Sequence, residues 1–249
     1  MPALEGHFDP FFHGYDLNYR DVDRAARFIA ELKRFEVEGE MPRLQIVRLP
    51  NDHTQGTAVG KATPTAMVAD NDVALGQLIE ALSQSKFWKE TAVFVVEDDA
   101  QNGSDHVDAH RTVAFVAGPH VKRGHVDSHM YSTSSLLRTM ELILGLQPMT
   151  QFDAAALPLY DSFTAQADLT PFKHLPAQVD LEAVNQPSAY GAKLSATFDF
   201  SREDAADDLL LNEVVWRSVR GPHSPMPAPV RAGFVFVELE GEEEDVEDE

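Results

Sequence analysis

The sequence predicts an α/β protein. Residues 91–96 (TAVFVV) and 112–117 (TVAFVA) are rich in β-branched and apolar side chains, as buried strands are. Residues 21–38 and 66–84 instead carry apolar residues at helical spacing. Such alternation of strands and helices is typical of layered α/β folds.

The elements before the first of these strands follow from local signals. The helix over residues 21–38 has acids in its first turn and Gly39 as its stop. A short strand is predicted at residues 43–49 (RLQIVRL), ending at a proline. Residues 50–65 are rich in turn formers and predict a loop, which leads into the helix over residues 66–84.

The remaining elements are less regular. A helix is predicted at residues 132–144, with a hydroxyl-rich start suited to N-capping and Gly145 at its end. Residues 151–190 are rich in Pro, Ala and Asp, and they predict an extended segment that wraps the domain. A last helix is predicted at residues 201–219, with Ser201 as its N-cap.

Composition excludes several classes of function. The chain has 41 Asp and Glu against 20 Lys and Arg, a formal net charge of −21, which disfavours a nucleic-acid scaffold or an anionic membrane surface as partner. There is no cysteine, which excludes thiolate metal sites and Cys nucleophiles. No apolar run reaches the roughly 20 residues of a membrane span, and the N-terminus lacks a signal-peptide pattern, so the chain as written is expected in the cytoplasm.

The charge distribution also predicts the domain organisation. Residues 238–249 hold nine acids and no base, and they are expected to form a disordered acidic tail. Residues 221–237 contain several prolines and predict a linker with a short strand at its end. Residues 1–220 form the predicted folded domain.

Acids and histidines cluster in three loops, two of which directly follow predicted strands. Ligands of open α/β sheets bind at the carboxyl ends of strands, so these loops are expected to meet at one rim. The candidate site residues are Asp52, His53, Asp98, Asp99, His106 and His110.

Each part of this cluster also has a purely structural interpretation. Asp52 and His53 fit an Asx-turn followed by a surface histidine, and Asp98 and Asp99 fit a solvated turn. Adjacent carboxylates at a strand end repel one another, however, and a divalent cation would offset that repulsion. The ligand types suit Mn, Mg, Ca, Zn or Fe about equally. Three further histidines are expected to be exposed loop residues rather than ligands: His120, His125 and His129.

Three longer stretches of the sequence are together similar to one known family. They are VRLPNDHTQGT, the run from PTAMVADND to AHRTVAFVAGP, and YSTSSLLRTMELILGLQPMTQFDAAALPL. The sequence resembles the C-terminal half of alkaline-phosphatase-superfamily phosphoesterases, above all bacterial β-propeller/phosphoesterase fusions. Those proteins are in turn related to phospholipase C-type and acid phosphatases. The similarity covers about residues 10–220. It implies a metal-dependent hydrolase of phosphoric esters on an alkaline-phosphatase-like layered α/β sandwich.

The resemblance also assigns expected roles. Asp98 and Asp99 match a metal-binding strand end, and His110 matches a histidine that precedes the next strand. Asp52 joins these three as a candidate ligand of a divalent metal ion. The candidate catalytic histidines, which would contact phosphate, are His53 and His106.

The chain departs from the family in one respect. The family's Ser or Thr nucleophile lies in the N-terminal part of the domain, which this sequence is expected to lack. Thr54 and Ser104 are the hydroxyls near the cluster, and both are better suited to capping turns. The alternative to an active hydrolase is therefore a catalytically incomplete metal- or phosphate-binding protein that works with a partner, either a complementing chain or a homo-oligomer. Relatives of this type are periplasmic or extracellular.

Overall fold

A computed structural model describes residues 4–98 and 112–226. The helices and strands in this part are α1 (Asp21–Glu38), α2 (Pro64–Gln84), β1 (Val93–Val96), β2 (Ala114–Ala117), α3 (Thr133–Leu144), α4 (Gln151–Ala155), α5 (Ala192–Ser195) and α6 (Asp208–Arg220). Single 3₁₀ turns lie at Asn51–His53, Trp88–Glu90 and Tyr160–Ser162. This mixture of helices with a small sheet is compatible with the predicted α/β class, whereas the layered sandwich stays a prediction.

Helices α1 and α2 pack against each other and build the core. Ala25 of α1 clusters with Ala74 and Leu78 of α2, and these small or flexible side chains allow the two helices to approach closely. A second cluster joins α1, α2 and the 3₁₀ turn at Trp88–Glu90. Both predicted helices are confirmed. Helix α2 begins two residues earlier than predicted because the Thr63 side chain accepts a hydrogen bond from the backbone N–H of Ala66.

Strands β1 and β2 pair in antiparallel register, with Val93 opposite Ala117 and Val96 opposite Ala114. The chain therefore leaves β1 and enters β2 at the same end of the strand pair. Both predicted strands are confirmed, although each is shorter than the apolar run that predicted it. Within the described residues the sheet has two strands, and Phe115 is 58% exposed on it.

The predicted strand at residues 43–49 is wrong, since this segment is irregular. Val47 and Leu49 pack against the Ala25 cluster while Ile46 is exposed, which is the alternation that suggested a strand. A strand also needs a hydrogen-bonded neighbour, and the described residues provide none for this segment. The segment nevertheless delivers the chain to the 3₁₀ turn at Asn51–His53.

The helix predicted over residues 132–144 is confirmed, with Ser132 as its N-cap and Gly145 in the left-handed conformation at its end. The last predicted helix starts later than expected. Helix α6 begins at Asp208, and its N-cap is Asp207, which accepts a hydrogen bond from the backbone N–H of Leu210 at 3.0 Å, rather than Ser201. Asp204 has a φ of 55°, and a residue in this left-handed conformation interrupts a right-handed helix.

Residues 151–190 are largely irregular, as predicted, apart from α4 and one 3₁₀ turn. They return to the first half of the chain, where the Asn185 backbone N–H donates to the Lys61 carbonyl oxygen at 2.8 Å. Among the described helices, none has both the length and the hydropathy of a membrane span. The acidic tail and most of the predicted linker lie outside the described residues, so the domain division stays a prediction.

Candidate functional site

Two of the predicted loops lie within electrostatic range of each other near the end of β1. Asp52 and His53 belong to the 3₁₀ turn at Asn51–His53, and Asp98 lies two residues beyond the end of β1. The electrostatic influence of Asp98 on Asp52 shows that the fold brings these two loops within range of each other. The remaining predicted site residues lie outside the described part of the chain: Asp99, His106 and His110.

Asp52 is a half-buried carboxyl group in acidic surroundings. Burial, together with the negative charges of Glu97, Asp21 and Asp98, raises the pKa of Asp52 to about 6. An ionised carboxylate is therefore costly at this position. A bound proton or a bound cation would relieve this cost.

A buried hydrogen-bond network fixes the turn that carries Asp52. Asp21, at the start of α1, accepts from the Asn51 backbone N–H at 2.9 Å. Asp70, in the middle of α2, accepts from the Asn51 side-chain amide at 2.9 Å and from the Asp21 backbone N–H at 2.6 Å. Two carboxylates thus tie the turn to both core helices, which gives the site a rigid support.

The amide of Asn71 completes this support. Its Nδ2 lies 2.8 Å from the Leu49 carbonyl oxygen, 3.1 Å from Asp21 Oδ2 and 3.4 Å from Asp52 Oδ1. Asn71 therefore connects α2 both to the chain that enters the turn and to the candidate ligand itself.

Two arginines neutralise these carboxylates: Arg20 donates from Nε to Asp70 Oδ1 at 3.0 Å, and Arg24 is fully buried. The Arg24 guanidinium donates to Asp21 Oδ1 at 3.0 Å and to carbonyl oxygens of the segment before α1. Those acceptors are His13, Gly14, Asp16 and Tyr19. Arg24 thereby fixes the path of the segment that places Tyr15 beside the candidate site.

His53 lies between two aromatic rings. Its ring makes edge contacts with Tyr15 at 5.7 Å and with Phe200 at 6.3 Å between centroids. Its Nδ1 is 3.3 Å from the Thr54 carbonyl oxygen. Because a carbonyl oxygen can only accept, Nδ1 is the protonated nitrogen, and Nε2 of the neutral ring carries the lone pair. This tautomer suits a role in which Nε2 contacts a ligand.

The backbone directly after His53 is strained. Thr54 has φ 62° and ψ 172°, a region that residues with a side chain rarely occupy, and such strain often accompanies functional sites. Its hydroxyl accepts a hydrogen bond from the Gly56 backbone N–H at 3.2 Å, and the residue is 2% exposed. The predicted turn-capping role of Thr54 is confirmed. Ser104 lies outside the described residues.

The donor chemistry fits a divalent metal ion in part. Carboxylate oxygens suit hard divalent cations, and the Asp52 environment favours positive charge. In the ranges 4–98 and 112–226, however, no group of three or more His, Asp or Glu side chains is arranged as a metal site. Of the predicted metal ligands, Asp52 and Asp98 lie in the described residues, whereas Asp99 and His110 do not.

A second polar cluster lies between β2 and α3. Asp127 accepts hydrogen bonds from His129 Nδ1 at 2.7 Å, from the Tyr131 hydroxyl at 3.0 Å and from the Ser162 hydroxyl at 2.9 Å. These bonds, with that from His129 the strongest, hold the pKa of Asp127 well below its usual range. The histidines of this loop are exposed, as predicted, but His129 is also paired, and the Asp127 hydrogen bond raises its pKa.

This pair predicts a pH-dependent contribution to stability. The His129 contribution is complete below the ordinary histidine pKa of 6.5 and is lost as pH rises through the higher value of the folded state. The Asp127 contribution is present above the ordinary value of 3.8 and is lost as pH falls. We expect His129→Gln to lower the melting temperature more at about pH 5 than at about pH 9.

The matched control for this prediction is His120→Gln, because the ring of His120 contacts the Thr164 carbonyl oxygen instead of a carboxylate. Thermal melts of both variants at the two pH values check it. An equal loss for His129→Gln at both values would contradict the pairing.

Sequence reasoning missed the support of the site: Asp21, Asn51, Asp70 and Asn71. A signal was present, because Asp70 and Asn71 fall at helical spacing between the buried apolar residues Met67, Ala74 and Leu78. Polar residues on the apolar face of a helix indicate a buried polar contact, which the apolar pattern alone does not reveal.

One comparison with known proteins gives a match. A family model with the description Phosphoesterase family covers residues 12–147, which is more than half of the chain. No match was found among the curated proteins or the solved structures. The matched range contains all six predicted site residues, and it confirms the resemblance to phosphoesterases.

Proposed function

The chain belongs to the phosphoesterase family, and we propose that it is a metal-dependent hydrolase of phosphoric esters. The observation that carries the metal dependence is the Asp52 environment. Burial and three neighbouring acids raise the pKa of this carboxyl group to about 6 at a turn fixed to both core helices. A structure that holds acids together in this way gains when a divalent cation binds.

We assign the metal-binding role to Asp52, Asp98, Asp99 and His110. A divalent ion there would stabilise negative charge on phosphoryl oxygens and activate the attacking group. Asp52 is held for this role by the Asn51 turn, and Asp98 is held by the end of β1. Carboxylates supply the negative charge that a divalent ion requires. Because the chain as a whole is acidic, the phosphate would be bound by the ion and the histidines.

His53 and His106 are the proposed catalytic histidines. For His53 the support is geometric, since its ring is fixed between Tyr15 and Phe200 and its Nε2 carries the lone pair. Nε2 can accept a proton, or in the protonated ring it can donate to an equatorial phosphoryl oxygen. Thr54, with its hydroxyl buried in a turn contact, is not proposed as the nucleophile.

The test is an assay of chelated protein given Mn, Mg, Ca, Zn or Fe singly, with p-nitrophenyl phosphate and its bis-ester as substrates. We expect turnover with at least one metal, and a loss of about 100-fold or more in Asp52→Ala and Asp99→Ala. The control variant is Asp168→Asn, whose exposed carboxylate pairs with Arg123 on the surface and should leave turnover unchanged.

Melting temperatures recorded in the same samples separate the alternatives. Stabilisation by metal without turnover would favour the metal-binding protein that works with a complementing chain or as a homo-oligomer. If none of the metals produces either turnover or stabilisation, the proposal is overturned.

A further inference from the structure

The side-chain amide of Asn71 lies where three oxygen acceptors converge. Its Nδ2 is within 3.4 Å of the Leu49 carbonyl oxygen, of Asp21 Oδ2 and of Asp52 Oδ1. An amide nitrogen has two protons, so three acceptors share two donors. Two of these acceptors are carboxylates. Without the Asn71 amide, the two carboxylates and the Leu49 carbonyl oxygen would face one another with no hydrogen-bond donor from α2 between them.

The contact with Asp52 has a geometric consequence. When Oδ1 of a carboxylate is engaged, rotation about its Cβ–Cγ bond is restricted, and the direction of Oδ2 is fixed as well. The Asn51 turn fixes the backbone of Asp52, and Asn71 fixes its side chain. Asn71 is itself anchored, because its shortest bond is to the Leu49 carbonyl oxygen on the chain entering the turn.

We infer that Asn71 is a positioning residue, which fixes the direction of the Asp52 carboxylate and keeps it apart from Asp21, as the proposed role of Asp52 as a metal ligand would require. This inference rests on the proposed function, because Asn71 acts through Asp52 and has no contact with substrate in this assignment. Residues that orient a metal ligand by hydrogen bonding typically contribute 10–100-fold to metal affinity.

The test compares Asn71→Leu, which removes the donor at similar volume, with Asn185→Leu. Asn185 is a matched control because its buried Nδ2 also donates to three oxygens, the backbone carbonyls of Gly56, Ala58 and Ala62, and none of them is a carboxylate. Both variants should lose thermal stability, since both leave buried acceptors unpaired.

The readout is the affinity for Mn²⁺, measured from the rise of melting temperature with Mn²⁺ concentration in the full chain. We expect affinity to fall about 10–100-fold in Asn71→Leu and to stay at the wild-type value in Asn185→Leu. Asn71→Gln, which retains an amide on a longer side chain, should recover part of the loss. Asn71→Asp, which adds a third carboxylate without a donor, should not.

The outcomes are distinguishable. Wild-type affinity in Asn71→Leu, or an equal loss in both leucine variants, would overturn the positioning role while leaving the proposed function intact. If the wild-type protein shows neither a rise of melting temperature nor turnover with Mn²⁺ or any of the other four metals, the proposed function and this inference fall together.

Discussion

Replacing Asp52 with asparagine should stabilise the metal-free protein at about pH 8 by roughly 2–3 kcal/mol in the free energy of unfolding. The pKa of Asp52 is about 6 in the folded state, against an ordinary value of 3.8. The folded state therefore holds a proton more tightly than the unfolded chain does. Above both values the ionised carboxylate destabilises the fold, and asparagine removes that charge while it keeps an oxygen for the Asn71 amide.

The pH dependence of this effect has a defined direction. Below about pH 3 the carboxyl group is protonated in both states, and the variant should have no advantage. The advantage should grow between about pH 4 and 6, where the unfolded chain is ionised and the folded protein is not, and should be complete above about pH 7. Denaturant unfolding with chelator at several pH values measures it.

Asp168→Asn is the control, because hydrogen bonds from Thr170 lower the pKa of that carboxylate, so its removal should not stabilise the protein at any pH. Saturating metal should reverse the order at position 52. The wild-type protein gains about 4.1 kcal/mol at a thousandfold excess over Kd, which exceeds the roughly 2–3 kcal/mol advantage of the variant, whereas the variant lacks the ligand. An Asp52→Asn protein that is less stable than wild type in chelator at about pH 8 would contradict the acidic-cluster interpretation.

Local patterns were sufficient to predict the helices and strands that carry their own signals. The first helix combines an apolar stripe with Gly39, whose φ of 99° requires a residue without a side chain, and its bounds are confirmed. The strands β1 and β2 were predicted from composition alone. In contrast, the segment over residues 43–49 has the alternation of a strand but no partner in the described residues, and pairing is a non-local property that the pattern cannot contain.

The candidate site likewise has a part that local sequence patterns predict and a part that they do not. The sequence predicts Asp52 and Asp98 as site residues because acids at loop starts are visible in it, and the fold brings the two within electrostatic range. Their support was not predicted, because Asp21 and Asp70 are separated from the Asn51 turn by 30 and 19 residues, respectively, and each contact depends on how α1 and α2 pack. Contacts of this kind follow from tertiary structure, whereas helical periodicity explains which faces pack but not which polar atoms meet.

Arg24 is the residue of this support whose loss should cost most. Arg24→Met keeps much of the side-chain volume but removes five hydrogen bonds, to Asp21 and to four carbonyl oxygens before α1. Both Arg24 and Asp21 are fully buried, and breaking a buried ion pair by removing one partner typically costs 3–5 kcal/mol. For a chain of this size the melting temperature should fall by roughly 10 °C.

Two further variants show where that cost arises. Arg34→Met on the same helix is the matched control, because Arg34 is half-exposed and its pairs with Glu31 and Glu38 lie at the surface, so stability should change little. Asp21→Asn combined with Arg24→Met removes the stranded carboxylate, and it should recover part of the loss if the buried charge dominates. No recovery would instead assign the cost to the unpaired carbonyl oxygens.

The Arg24 result would also connect stability to the site. The carbonyl oxygens of Gly14 and Asp16, which Arg24 binds, flank Tyr15, and Tyr15 contacts the ring of His53. Releasing the segment should therefore loosen His53 even at temperatures where the helices remain folded. Nuclear magnetic resonance of the histidine ring in Arg24→Met at low temperature measures this, with Arg34→Met as reference. An unchanged His53 signal in a destabilised Arg24→Met protein would mean that Phe200 and the strained turn at Thr54 suffice to hold the ring.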